Sequence, residues 1–151
     1  PYYMLNTCIV SGESLIEEGQ DVGVEVLVNN RLFRVCCKSC VKKVKADPLR
    51  YRKVLDKHIA EVQRPLYPLT TCIVKGEKGK LGAMGEPVEF VVGNRLVRLC
   101  CSNCESKFQA DPVKFIAQLD AAWAPVLAKR AADAKRAHGE HKQAADHDDN
   151  K

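Results

Sequence analysis

Val35-Cys36-Cys37-Lys38-Ser39-Cys40, with Asp47-Pro48 beyond it, returns as Leu99-Cys100-Cys101-Ser102-Asn103-Cys104 and Asp111-Pro112, 64 residues later in a chain of 151. Working outward, Thr7-Cys8-Ile9-Val10 with Gly12-Glu13 recurs as Thr71-Cys72-Ile73-Val74 with Gly76-Glu77 at the same offset. Asn30-Arg31-Leu32 and Arg34 recur as Asn94-Arg95-Leu96 and Arg98. Over the 42 positions from 7 to 48, 20 are identical in the copy, with no insertion or deletion. All eight cysteines fall inside the match, four per copy. The chain reads as a tandem duplication, residues 1–64 and 65–128, followed by an extension over 129–151.

Local chemistry supplies the elements. Residues 24–28 and 31–36 are rich in β-branched side chains and separated by Asn29-Asn30; residues 88–92 and 95–100 flank Gly93-Asn94. Such pairs tolerate positive φ, so each reads as a tight hairpin. Residues 38–45 and 102–109 read as short helices ending at Asp-Pro, where Asp caps and Pro opens a longer helix. On those longer helices Leu49, Val54, Leu55, Ile59 and Val62 are expected on one side, and Val113, Phe115, Ile116, Leu119 and Trp123 in the second copy. Residues 64–68 form the expected linker. Pro125 is expected to kink or end the last helix, and from His138 onward the polar chain is expected to be disordered. Residues 13–23 and 77–87 are where the copies diverge, and the glycine-rich part of the second reads as a plain flexible loop. The glycine-rich Lys78-Gly79-Lys80-Leu81-Gly82 lacks P-loop spacing. The fold class is α+β, two tandem small modules each with a knuckle turn, a β-hairpin and two helices. Units this small are expected to be supplemented by packing between the copies or between chains, as in a homo-oligomer.

Composition narrows the function. The chain is 46% hydrophobic, which excludes wholesale disorder, and it has no run long enough to span a membrane. The net charge of +5 is spread evenly: 11 basic and 8 acidic residues in 1–64, 7 and 6 in 65–128, 6 and 5 in the tail. No basic stripe and only 6% aromatic residues argue against a nucleic-acid surface. Catalysis by a cysteine–histidine pair is not expected, since His58 has no counterpart in the second copy. His138, His141 and His147 in the tail read either as metal scavengers or as solvated spacing.

Each copy has the pattern Cys-x27-Cys-Cys-x2-Cys. Disulfides, buried core thiols and metal ligation compete as explanations. A Cys36–Cys37 bond would close a strained ring, and repeated spacing is a poor fit to isolated core cysteines. A thiolate site needs one ligand pair from a turn and another at a helix N-terminus, where the dipole favours thiolates; Cys36 and Cys40 can converge on one ion, and Cys8, in a glycine-containing turn, supplies half of a knuckle. The second cysteine of a full Cys-x2-Cys knuckle is replaced by Ser11 and Lys75. Cys37 and Cys101 therefore either complete a four-ligand zinc set or leave open three-coordinate sites suited to Cu(I).

Cys8-x-Val10-x-Gly12-Glu13, the hairpin, residues 35–40 with Val44 and Asp47-Pro48 resemble the TRASH/YHS-type metal-binding modules. Residues 98–104 with Phe108 and Asp111-Pro112 are the closer copy. The resemblance spans roughly residues 5–63 and 69–120. It implies a treble-clef-like fold and a role in heavy-metal trafficking, sensing or resistance, beside a transporter or efflux protein. It implies ligands Cys8, Cys36, Cys40, Cys72, Cys100 and Cys104, with Cys37 and Cys101 where relatives often carry Ser, and one Zn or Cu(I) per repeat. A zinc-bearing ribosomal protein shares the second half of the motif, which keeps RNA binding as a further reading. The absence of an initial Met and the histidine tail lean towards an exported bacterial protein, with the cytoplasm as the other compartment.

Overall fold

A computed structural model describes the backbone of residues 2–143 and the side chains of 2–136. Along the chain run β1 (Ile16–Glu17), β2 (Gln20–Asp21), β3 (Val24–Val28), β4 (Arg31–Val35), α1 (Lys38–Ala46) and α2 (Pro48–Gln63). A 3₁₀ turn at Arg64–Leu66 follows. Then come β5 (Thr71–Cys72), β6 (Gly76–Lys80), β7 (Val88–Val92), β8 (Arg95–Leu99), α3 (Ser102–Ala110) and α4 (Pro112–Gln143). Among the described residues the strands form four two-stranded antiparallel sheets, each a hairpin of neighbours in sequence. The β3–β4 and β7–β8 hairpins, α1 and α3, and the starts of α2 and α4 are 64 residues apart.

The two main hairpins turn where the sequence indicates. Val28 pairs with Arg31 and Val92 with Arg95, leaving two-residue turns. Asn29 and Asn30 have φ of 49° and 59°, and Gly93 and Asn94 have 53° and 65°. Two consecutive positive φ values give the turn twist that matches right-twisted strands. The Asp carboxylates cap as expected: Asp47 accepts from the Arg50 N–H at 3.2 Å and Asp111 from the Lys114 N–H at 3.3 Å.

Three local expectations need correction. The glycine-rich stretch is not a loop throughout: β6 carries Lys78-Gly79-Lys80 against β5. Residues 13–23, to which no element was assigned from the sequence, contain the β1–β2 hairpin and the fully buried Leu15. Glu18 and Gly19, at φ of 49° and 78°, turn β1 into β2; Gly19 is the expected turn residue, but Glu18 lacks the Asn or Gly usual beside it and the strands are only two residues long, so the hairpin had a weak sequence signature. Leu49, Val54 and Val113 point outward, Leu49 at 67% and Val113 at 79% exposure. Each lies about 100–120° around its helix from the stripe centred on Leu55–Ile59 or Leu119–Trp123, outside the buried face. Finally, α4 continues through Pro125 and past His138 to Gln143. Proline removes one helical hydrogen bond there, but buried Trp123 precedes it and Val126 and Leu127 pack on the core after it, so burial on both sides carries the helix across. The expected disorder of the extreme tail, including His147, concerns residues outside those described.

Each half has its own core. Leu15, Phe33, Val35, Val44, Leu55 and Ile59 fill the first; Val97, Leu99, Phe108, Leu119 and Trp123 fill the second. The halves also exchange contacts. Tyr2 and Met4, from the start of the chain, pack on the second core, and Val91 packs on the first. Trp123 receives Tyr2 and Tyr67 edge-to-face, with ring centroids 6.3 and 6.1 Å away.

Polar groups lock this junction. Gln63, fully buried, donates to the carbonyls of Tyr2 and Asn94, both at 2.9 Å, and accepts from the Leu96 N–H at 2.8 Å. Asn94 donates to the Leu32 carbonyl at 3.0 Å and accepts from the Arg31 Nε at 2.8 Å. Every one of these groups is costly to leave unpaired once water is excluded. Gln63→Ala strands one backbone N–H and two carbonyls. It is expected to lower unfolding stability by about 2–4 kcal/mol in urea denaturation, with the thiol sites left intact.

Candidate metal centre

In the first half the knuckle turn forms because Gly12, at φ +77°, lets the chain reverse tightly. The Gly12 N–H donates to the Cys8 carbonyl at 2.8 Å and the Cys8 N–H to the Glu13 carbonyl at 2.7 Å. The turn is stitched to β4 by the Ile9 N–H donating to the Arg34 carbonyl at 3.2 Å. The Tyr3 hydroxyl accepts from the Arg34 N–H at 3.1 Å, and Tyr67 does the same for Arg98 at 3.2 Å. β4 then runs straight into Cys36, Cys37 takes the N-cap of α1, and Cys40 sits in its first turn.

These constraints bring the sulfurs together. The Sγ atoms of Cys8, Cys36 and Cys40 all lie within 4.8 Å of one another, as do those of Cys72, Cys100 and Cys104. Cys8, Cys40 and the whole second triad are buried; Cys36 is half-buried. The Cys36–Cys40 and Cys100–Cys104 sulfurs are each 3.7 Å apart. Zinc–thiolate bonds of about 2.3 Å around a tetrahedron place sulfurs roughly 3.7–3.8 Å apart, so these edges fit a shared ion. The donor set is soft, as thiolate-binding ions require.

The remaining two cysteines sit beside the triads. Cys37 Sγ is exposed, 3.7 Å from Cys36 Sγ and 3.0 Å from the Ser39 hydroxyl. Cys101 Sγ is half-buried, 3.8 Å from Cys100 and 3.6 Å from Cys104. At the two positions where a knuckle would carry its second cysteine the halves differ. The Ser11 hydroxyl lies 3.5 Å from Cys36 Sγ and donates to Glu13 at 3.1 Å. Lys75 instead presents an ammonium held above its ordinary pKa by the neighbouring thiolates of Cys100, Cys101, Cys104 and Cys72.

The same environment sorts the thiols. Burial resists ionisation of Cys8, but the Ser11 hydroxyl and the N–H groups of Ser11, Val10 and Cys36 outweigh it and lower the thiol to about 7. The Ser39 hydroxyl and the Cys40 N–H lower Cys37 to about 6, and the Cys104 N–H with the Cys104 side chain lowers Cys101 to about 7. Burial raises Cys40 and Cys100 and, with neighbouring thiols, pushes Cys104 to about 12. At neutral pH each half thus holds thiolate and thiol side by side, and a bound cation would displace the remaining protons.

Sequence reasoning named the cysteines but missed what surrounds them. Gly79 is buried against the second site: a Cβ there would stand 2.7 Å from the Lys75 Cβ, 3.0 Å from the Cys72 Cβ and 3.4 Å from Cys100 Sγ. The only available signal was the contrast with Leu15 at the matching position. Tyr3 and Tyr67 were visible as repeated residues, though not as props for β4 and β8. His58 is exposed on α2, with Nδ1 3.5 Å from Glu61, and belongs to neither cysteine triad. Comparison with protein-family models, curated proteins and solved structures returns no match for the chain.

Thiolates, not thiols, are alkylated. In the reduced, metal-free protein, Cys37 combines the most exposed sulfur with a pKa of about 6 and is expected to react with iodoacetamide first at pH 7. Its rate should fall as pH drops through 6, because protonation removes the nucleophile. Cys36, pushed to about 12 by burial and by the Glu13 carboxylate and adjacent thiols against the opposing Ser11 bond, should stay unmodified until strongly alkaline pH. Peptide mapping by mass spectrometry reads both.

Proposed function

We propose that this chain is a non-enzymatic metal-binding protein that carries a soft or borderline ion, Cu(I) or Zn, through one thiolate site in each half. The observation that carries the reading is the convergence of two cysteine triads, 64 residues apart in sequence, each joining a turn to a helix N-terminus. The TRASH/YHS-type resemblance supports heavy-metal trafficking, sensing or resistance as the setting, and treble-clef-like modules as the two halves. A transporter or efflux protein is the matching partner. No helix among the described residues is long and apolar enough to cross a membrane.

Transfer requires an ion that can leave. Three-thiolate sites without the second knuckle cysteine retain an unfilled coordination position through which an incoming ligand attacks. The separate apolar cores favour a fold that survives this loss, whereas closed zinc modules unfold when stripped.

Metal analysis of the native, unreduced protein together with free-thiol counting after chelation tests the reading. About eight reactive thiols and bound soft metal are expected. Cys36→Ser should cost about one ion per chain while most of the helical circular-dichroism signal survives. A wholly unfolded Cys36→Ser protein would favour a structural zinc scaffold. Few free thiols and no metal would favour disulfides.

A further inference from the structure

The second half contains two sulfur triangles, not one. Cys100, Cys101 and Cys104 form a triangle with edges of 3.8, 3.6 and 3.7 Å. The triad with Cys72 uses the same Cys100–Cys104 edge. A thiolate sulfur has lone pairs enough to bridge two cations, so the shared edge can serve both triangles. Cys100 and Cys104 are 4% and 1% exposed, and Gly79 closes over the Cys72 side, so water has little access to this edge.

The first half is built differently at each of these points. Cys37 is exposed and hydrogen-bonded to the Ser39 hydroxyl, and the residue matching Ser39 is Asn103. Cys36 is half-buried and has the Ser11 hydroxyl beside it. Lys75, at the position of Ser11, puts a positive charge in the field of all four sulfurs of the second half. Four thiolates and two monovalent ions leave two negative charges, of which the ammonium offsets one.

Building on the metal-carrying reading above, we propose that the second half binds a pair of soft monovalent ions of the Cu(I) class, one in each edge-sharing triangle. The first half binds a single ion through Cys8, Cys36 and Cys40. The protons still held by the second half's cysteines go to solvent on loading, leaving four thiolates, and no electrons are transferred.

The test uses the full chain, reduced, stripped by chelator and kept anaerobic, titrated with Cu(I) supplied as its acetonitrile complex against a chromophoric Cu(I) chelator. Ions are counted by native mass spectrometry. The wild type is expected to hold about three Cu(I), Cys101→Ser and Cys72→Ser about two each, and Cys37→Ser still about three. Luminescence from the adjacent Cu(I) pair should vanish in Cys101→Ser and Cys72→Ser and persist in Cys37→Ser. If Cys101→Ser does not fold, Cys72→Ser decides: one ion kept in the second half supports the proposal, and none overturns it. A wild type holding two ions, with Cys101→Ser and Cys37→Ser both unchanged, overturns the paired site while leaving the metal-carrying role standing. A wild type that retains no soft ion overturns both.

Discussion

The ion pair between Arg31 and Asp56, repeated as Arg95 with Asp120, is the interaction on which both sites depend. Arg31 Nη2 lies 2.5 Å from the Asp56 carboxylate, and Arg95 Nε lies 2.5 Å from that of Asp120. Each pair pins the start of a five-residue strand, β4 or β8, to the long helix behind it. The other end of the same strand delivers the first cysteine of the helix-side pair. With so short a strand, an error at the arginine end is transmitted almost undiminished to the sulfur. Arg31 is only 5% exposed, so its charge would be costly without Asp56 and Asn94 as partners.

Halfway along each strand a second clamp works from the opposite side. The tyrosine hydroxyl of Tyr3 or Tyr67 holds the backbone of Arg34 or Arg98, and the guanidinium of the same arginine lies over the tyrosine ring at 5.9 or 5.6 Å. The guanidinium is then taken by a carboxylate that differs between halves. Arg34 pairs with Asp21 on the β1–β2 hairpin and stands 4.0 Å from Glu25, whereas Arg98 is held at 2.8 Å by Glu89, the match of Glu25. Glu89 also accepts from Arg64 at 2.7 Å, which ties the end of α2 to the second half. The duplicated part of the sequence therefore builds the frame, and the diverged part decides how each frame is buttressed.

This division explains what could be read from the sequence. Hairpin turns at Asn29-Asn30 and Gly93-Asn94, caps at Asp47 and Asp111, and the cysteine spacing are local patterns whose physics acts over a few residues. They were legible, and so was the gathering of Cys8 with Cys36 and Cys40. The Gln63–Asn94 lock was not, because nothing local marks a glutamine as the partner of a turn residue 31 positions away. The β1–β2 hairpin was missed at Glu18-Gly19, where glycine marks only half of the turn and each strand is two residues long. Leu49, Val54 and Val113 were misread because apolar character alone does not give helical phase: the buried stripe is set by where α2 and α4 meet the hairpins. The difference between Cys37 and Cys101 lay in a neighbour, Ser39 against Asn103, which looked like ordinary surface variation.

The two cores bear on how such sites can work. Leu15, Phe33, Leu55 and Ile59 in one half and Leu99, Leu119 and Trp123 in the other are buried in clusters that also hold triad sulfurs, and each fully buried apolar side chain contributes on the order of 1.5–3 kcal/mol whether or not an ion is bound. Burial keeps the thiols of Cys40 and Cys104 protonated in apolar surroundings, so departure of an ion would not strand a charge on these two sulfurs. What differs is access. A sulfur from a partner protein can approach half-buried Cys36 and exposed Cys37, whereas Cys72, Cys100 and Cys104 are covered. On the metal-carrying reading proposed above, an incoming thiolate would reach the first triad more readily than the second. The first triad is thus the more open of the two because Cys36 and Cys37 are each more exposed than their matches, Cys100 and Cys101.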